Sequence, residues 1–292
     1  MWSPSVIGIG AEKSATTWAW TMLDAHPDVC MSQPKELNYF NVDENFERGA
    51  SWYRKHFVTT TSTCGEISPL YLDDNRVAKR IANLYPDIRI LVMLRDPFDR
   101  AISHLFHDAS VHYGIVADLT VRHLRELVAK DPKYIRRSCY ARALEPFYRH
   151  FEAEQIGVFF FDDVKRNGLD LAQRIYRFAN VDDSFVPKQF NQKVNESQDL
   201  RSIAGAVIGL SKAVRRFPLT KPAMEWMYRN TRLRERAISW LMVDKGRPEI
   251  GFDDVFGPAD AAALFDDLNQ LQTLAGELPN DWRTLKHGKQ AA

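Results

Sequence analysis

Near the amino terminus an apolar run, Val6 to Gly10, passes into Ala11-Glu12-Lys13-Ser14-Ala15-Thr16-Thr17-Trp18. A strand that ends in a small-residue turn, then a lysine, then hydroxyl residues opening a helix, is an arrangement that cradles a phosphate. Backbone amides at the helix N-terminus aim at the anion, and the ammonium adds a point charge. The segment is not a Walker loop, GxxxxGK[ST]: Glu12 rather than glycine precedes Lys13, and Lys13 lies five positions after Gly8 rather than six. It is not a dinucleotide fingerprint either, because Lys13 occupies the place of the third glycine.

A second constellation is Arg95-Asp96-Pro97-Phe98-Asp99-Arg100-Ala101-Ile102-Ser103-His104, directly after the apolar run Arg89 to Leu94. Arg95 falls at the carboxyl end of an expected parallel strand, where α/β folds bind ligands, and Pro97 suits the first helical position. Ser103 comes eight residues after Arg95, two helical turns along, so a guanidinium and a hydroxyl could converge on one more phosphate. Two anion sites on two strand ends imply a ligand with separated phosphates.

Positioning these groups requires short buried strands alternating with helices, the pattern of an α/β fold with a mostly parallel sheet. Strands are expected at Val6–Gly10, Val29–Ser32, Cys64–Ser68, Arg89–Leu94 and Gln155–Phe161. Helices are expected at Thr16–Ala25, Asn75–Tyr85, Pro97–Tyr113, Leu119–Lys130, Tyr134–Ala153 and Leu169–Asn180. Beyond about residue 181 the strand signal stops. Residues 201–236 hold nine basic side chains against Glu225 and Glu235, and Asp253 to Glu277 then has acids and no base. Two readings stand: solvated helix faces that pair with each other, or a basic cover over an anionic ligand. The expected organisation is one domain over residues 1–292, with an α/β core at 1–180 and a helical extension at 181–292 that shapes the acceptor and cofactor sites.

The pair KSATTW and RDPFDRAISH resembles the two cofactor motifs of sulfotransferases that use 3′-phosphoadenosine 5′-phosphosulfate (PAPS). The resemblance runs from about residue 5 to 180, with a thinner echo at Leu278–Trp282 (LPNDW). It implies a three-layer core like that of P-loop NTPases, with a mostly parallel five-stranded sheet. It also implies PAPS as co-substrate, released as adenosine 3′,5′-bisphosphate, with no metal. By the same resemblance Lys13 contacts the phosphosulfate and its bridging oxygen, while Ser14, Thr16 and Thr17 supply amides and hydroxyls to the 5′-phosphate. Arg95 and Ser103 hold the 3′-phosphate. Trp18 matches a position whose ring stacks on adenine in many members; core packing on the first helix is its other reading. Ala15 stands in the cofactor loop where the family usually has glycine, a costly exchange if that residue needs a positive φ.

Gln33-Pro34-Lys35-Glu36-Leu37-Asn38-Tyr39-Phe40 looks like the KExxFF segment of heparan-sulfate-type glycan sulfotransferases, whose glutamate is the catalytic base. Glu36 is therefore the expected base for the acceptor's proton; the alternative is a surface carboxylate paired with Lys35. Gly65–Leu72 (GEISPLYL) resembles that branch's EKxPxYF, but Ile67 stands where an active-site lysine is usual, which weakens the case for a highly anionic acceptor. His107, seven residues after Arg100, takes the place of a histidine that assists catalysis in some glycan members. His104, His107 and His112 match no compact zinc spacing. Lys245, Gly246 and Arg247 resemble a late element that closes over the 3′-phosphate, and Asn195, Ser197 and Arg201 compete for that role.

Composition limits the alternatives. The 292 residues carry 39 Lys plus Arg and 38 Asp plus Glu, a net charge of +1, which argues against a whole-surface grip on nucleic acid. At 45 % apolar and 26 % charged the chain is globular rather than disordered. Three scattered cysteines make no disulfide framework. With neither a signal-peptide pattern nor an apolar run of membrane-spanning length, the expectation is a soluble, cytoplasmic enzyme. It would move a sulfuryl group from PAPS to a hydroxyl or amine of a glycan or small-molecule acceptor. A nucleotide kinase on the same architecture and a non-catalytic nucleotide-binding protein are the rival classes.

Overall fold

The computed structural model describes residues 2–58, 61, 63–113, 120–188, 190 and 250–286, the side chains of 110–113 excepted. Five strands, β1 (Val6–Gly10), β2 (Val29–Met31), β3 (Thr63–Ile67), β4 (Arg89–Leu94) and β5 (Ile156–Phe160), form one sheet in the order β2-β3-β1-β4-β5. Every pairing is parallel, with Val6 opposite both Gly65 and Arg89, Cys30 opposite Cys64, and Val92 opposite Val158. β1, β3 and β4 are buried along nearly their whole length, because helices cover both faces of a parallel sheet and leave no residue a wet side.

On one face, α1 (Thr16–Ala25) and α9 (Phe161–Ala179) bury Trp18, Met22, Leu171, Ile175 and Tyr176 against β1, β3 and β4. On the other, α4 (Arg76–Leu84), α8 (Tyr140–Tyr148) and a last helix, α10 (Pro258–Ala275), close over a core that includes Ile7, Ile90, Val92, Leu144 and Leu268. Short helices α2 (Asp43–Phe46) and α3 (Gly49–Arg54) join β2 to β3. Helix α5 (Pro97–Tyr113) follows β4, and α6 (Val121–Lys130) and α7 (Lys133–Arg136) come next.

Some boundaries differ from those expected. The single helix anticipated at Tyr134–Ala153 is two helices, α7 and α8, because Ser138 lies buried between them with its hydroxyl turned to the Pro97 and Tyr134 carbonyls. The helix expected from Leu169 begins at Phe161, with a break at Asn167 (φ −158°, ψ 81°) where the Asn167 side chain accepts from the Asp170 amide.

Of the described residues, those up to 101, 133–190 and 258–286 form one compact unit, and 102–113, 120–132 and 250–257 belong to a second. This division does not follow the expected boundary near residue 180: the C-terminal helix packs into the core of the first unit. The second unit buries Leu105, Leu124, Leu127, Phe252 and Phe256, and Arg125 Nε donates to the Asp254 carbonyl at 2.7 Å. No described helix is long and apolar enough to cross a membrane. The basic stretch 201–236 lies outside the described residues.

Candidate active site

The chain crosses from β3 to β4 over β1, so the carboxyl end of β1 lies where the strand order reverses, the place at which open α/β sheets bind ligands. Pairing between β1 and β4 shifts register between Gly8 and Gly10, a bulge that turns the chain into the following loop. Gly10 has φ 151°, and a Cβ there would sit 2.8 Å from the Pro69 carbonyl oxygen, so only glycine fits. Beyond it Lys13 and Ala15 adopt left-handed conformations, φ 69° and 63°. Ala15 is the N-cap of α1, which has no side-chain cap and no acidic residue in its first turn. The positive end of α1 is thus left for another anion. Ser14 Oγ is buried at this end beside the Tyr140 hydroxyl, without a well-formed hydrogen bond. Thr16 is buried beside it, and the Thr17 carbonyl accepts from Thr21 Oγ1 at 2.9 Å.

Arg95 leaves the end of neighbouring strand β4, mostly covered. Its guanidinium lies 4.5 Å from the centre of the Phe161 ring and 3.9 Å from Asp99, and its Nε is buried without a partner. The backbone around it is fixed. Asp96 caps α5 by accepting from the Asp99 amide at 2.9 Å, and takes two further bonds from Thr284, at 2.8 Å and 3.1 Å. Burial pushes the Asp96 carboxyl above its ordinary value against these hydrogen bonds. Trp282, from the LPNDW echo, is buried and donates to Asp162 at 2.9 Å. Both an orphaned hydroxyl in the first motif and an orphaned guanidinium nitrogen in the second fit a ligand carrying anionic oxygens.

Glu36 follows β2 and is exposed, with its carboxylate paired to Lys35, as the alternative reading had it. Its backbone is left-handed (φ 65°), as is that of Asn38 (φ 50°). Asparagine tolerates that region, but glutamate persists there only when its surroundings over-determine it. The loop is tied inward: the Asn38 amide donates to Ser68 Oγ at 3.1 Å, and the Ser68 amide donates to the Gly8 carbonyl of β1 at 3.0 Å. Glu12 of the phosphate loop binds Arg137 at 3.0 Å, and Asp73 takes both Arg137 and Arg136. Beside them a cavity of 630 Å³ opens between Ala11, Glu12, Asn41, Asp73, Arg76 and Arg142.

Several expected site residues stand differently. Trp18 is only 1 % exposed and its indole N–H reaches the Phe190 carbonyl at 3.4 Å, so the ring packs in the core, with no open face for a base. Ile67 is core as well, packed over Gly8. Ser103 is buried and His107 exposed on α5 beyond Ala101, within the second unit, where His104 lies 3.7 Å from Asp108. Lys245, Gly246 and Arg247, with the competing Asn195, Ser197 and Arg201, lie outside the described residues. Sequence reasoning missed Glu66, a fully buried carboxylate in β3; its signal was an acid inside an expected buried strand.

Strand ends, a left-handed lysine loop and two unpartnered buried donors together fit a ligand carrying anionic oxygens. Residues 3–199 match the family model of the sulfotransferase domain, and the chain belongs to that family. It is 31 % identical over 189 residues to heparan sulfate glucosamine 3-O-sulfotransferase 5 of Homo sapiens, covering 61 % of this chain and 54 % of that protein. It is 24 % identical over 195 residues to the bifunctional heparan sulfate N-deacetylase/N-sulfotransferase 1 of Xenopus laevis, covering 61 % of this chain and 22 % of that protein. The match thus spans about half the length of the first of these relatives and less of the second. Among solved structures, a sulfotransferase from Alicyclobacillus acidocaldarius shares the fold, with a TM-score of 0.63 at 22 % identity, covering 97 % of this chain and all of the other.

Proposed function

We propose that this chain transfers a sulfuryl group from PAPS to a hydroxyl, or an amine, of a carbohydrate acceptor. The observation that carries the reading is the pair of buried, unpartnered polar atoms, Ser14 Oγ and Arg95 Nε, one in each motif and each after one of two adjacent strands. When bound, PAPS supplies the sulfuryl group and a phosphate leaving group. The uncapped N-terminus of α1, with Ser14, Thr16 and Thr17, holds the 5′-phosphate, and Lys13 neutralises charge developing on the bridging oxygen. Arg95 holds the 3′-phosphate as a rigid fork. Glu36 takes the acceptor's proton once it turns from Lys35. Asparagine, aspartate and arginine around the 630 Å³ cavity suit a hydroxyl-rich acceptor, since they offer donors and acceptors together. The names of the relatives support a glycan, and Ile67 in place of lysine supports a less anionic one than heparan sulfate. Smaller hydroxylated molecules fit the same chemistry. A cytoplasmic setting belongs to the proposal and rests on three free cysteines; cell fractionation tests it.

Calorimetry with adenosine 3′,5′-bisphosphate is the deciding experiment. Tight binding is expected, weakened at least tenfold in Arg95→Ala. Binding of magnesium-ATP in its place would move the chain to the nucleotide kinases. Glu36→Ala should lower turnover by roughly 10²–10⁴, the usual contribution of a general base, with bisphosphate affinity kept. Unchanged turnover in that variant would remove Glu36 from the mechanism.

A further inference from the structure

Glu66 is the penultimate residue of β3, fully buried, and among the described residues no lysine or arginine pairs with it. An isolated carboxylate in that position is costly unless donors surround it. Here the donors are hydroxyls. Tyr53 gives its proton to Oε2 at 2.6 Å; Ser68 and Tyr71 give theirs to Oε1 at 2.6 Å and 2.7 Å. The Leu37 amide also reaches the carboxylate. Two of these hydroxyls then serve as acceptors on their other side. Ser68 Oγ accepts from the Asn38 amide at 3.1 Å, and the Tyr71 oxygen accepts from the Tyr39 and Phe40 amides at 2.8 Å and 3.3 Å. The four consecutive backbone N–H groups after Glu36, from 37 to 40, are therefore all held by Glu66 or by a hydroxyl that Glu66 polarises.

We propose that Glu66 is a positioning residue for the reaction: through Ser68 and Tyr71 it clamps the 37–40 backbone and thereby fixes where the Glu36 carboxylate stands. The inference rests on the reading of Glu36 as the base. The left-handed backbone at Glu36 is what such a clamp would have to hold, because glutamate, unlike the asparagine at 38, rarely keeps that conformation without external restraint. Direction matters as well as number. A carboxylate accepts only, so both hydroxyls must point their protons at it and leave their lone pairs to the amides. Glutamine at 66 would offer a donor at one of these contacts and reverse part of the chain.

The test compares Glu66→Gln, Ser68→Ala and Tyr71→Phe with Tyr53→Phe, whose hydroxyl binds the same carboxylate without touching the 37–40 backbone. Turnover, bisphosphate affinity and melting temperature are measured for each, with amide hydrogen exchange at residues 37–40 recorded without nucleotide. The first three variants should lower kcat tenfold or more, leave bisphosphate affinity within twofold, and speed exchange of the loop amides. Tyr53→Phe should lose comparable melting temperature yet keep kcat and loop exchange near wild type. A fall in kcat that simply tracks melting temperature across all four would overturn the proposal. So would faster loop exchange with unchanged kcat, which would break the link between the loop and the base. A wild type that ignores the bisphosphate would sink the functional reading itself. That failure is distinct, because exchange is read with no ligand present.

Discussion

Ala15 carries a Cβ at φ 63°, where an L-residue is disfavoured by about 1–2 kcal/mol, and it does so as the N-cap of α1. Glycine would remove that penalty and return part of it, roughly 0.4–1 kcal/mol, as extra freedom of the unfolded chain. Ala15→Gly should therefore stabilise the protein by up to about 1 kcal/mol, read as a rise in the denaturant midpoint at unchanged slope. Asp96 makes a different prediction. Its folded pKa is raised by burial above 3.8, so the folded state binds the extra proton between the two values. The stability that Asp96 contributes is complete below about 3.8 and is lost as pH rises through the folded value. Asp96→Asn should flatten that part of the stability profile, with the wild type losing ground to the variant as pH climbs from 4 towards neutrality. At this scale position was legible where a strand end defines it: Lys13 and Ser14 follow β1 and Arg95 follows β4, as expected. Trp18 was not, because whether a ring packs or stacks is decided by the distant Phe190 segment. Nor was the exposure of His107 one turn after a buried Ser103, since helical spacing gives a shared face but not what covers it.

Elements were read best where a single local cause produces them. Parallel strands are near-continuous apolar runs, so all five strands lie where expected, to within a residue or so at each end. Helices that depend on distant partners were read less well. The break between α7 and α8 reflects the buried Arg100, whose Nε donates to Ser138 Oγ at 2.7 Å from 38 positions away. The start of α8 depends on another distant group. Its cap residue, Cys139, makes no side-chain cap bond, and Asp267 of α10 accepts instead from the Ala141 and Arg142 amides at 2.9 Å and 3.0 Å. An acid in the C-terminal acidic stretch, for which a solvated helix face was one reading, is therefore a buried cap supplied across the sheet's helical layer. Removing it leaves the helix-end amides it holds, that of Tyr140 among them, without a partner. Asp267→Ala should cost about 2 kcal/mol, the range for hydrogen bonds to a charged group, and Asp267→Asn about half of that because one acceptor oxygen survives. Urea denaturation of both variants checks the ordering. Equal losses would mean that packing of α10, rather than the cap, holds α8 in place.

For the whole molecule, a net charge of +1 from 39 bases and 38 acids leaves little long-range field to gather a polyanionic nucleotide. On the proposed reading, recognition has to come from fixed local groups: the α1 amides, Lys13 and Arg95. Binding to such groups is linked to folding, since the unfolded chain holds none of them in place. At a hundred times its dissociation constant the ligand should add about 2.7 kcal/mol of stability. At roughly 2 °C of melting temperature per kcal/mol for a chain of this size, adenosine 3′,5′-bisphosphate should raise the transition by about 5 °C. A smaller rise is expected for adenosine 5′-monophosphate, which lacks the 3′-phosphate that Arg95 would hold, and the two nucleotides should become alike in Arg95→Ala. Raising salt should trim the shift only modestly, because mostly covered groups are screened less than surface charges. A shift of equal size with both nucleotides in the wild type would mean that the second motif holds no phosphate. The two-site reading, on which the assignment to PAPS chemistry depends, would then fail even if the first loop binds.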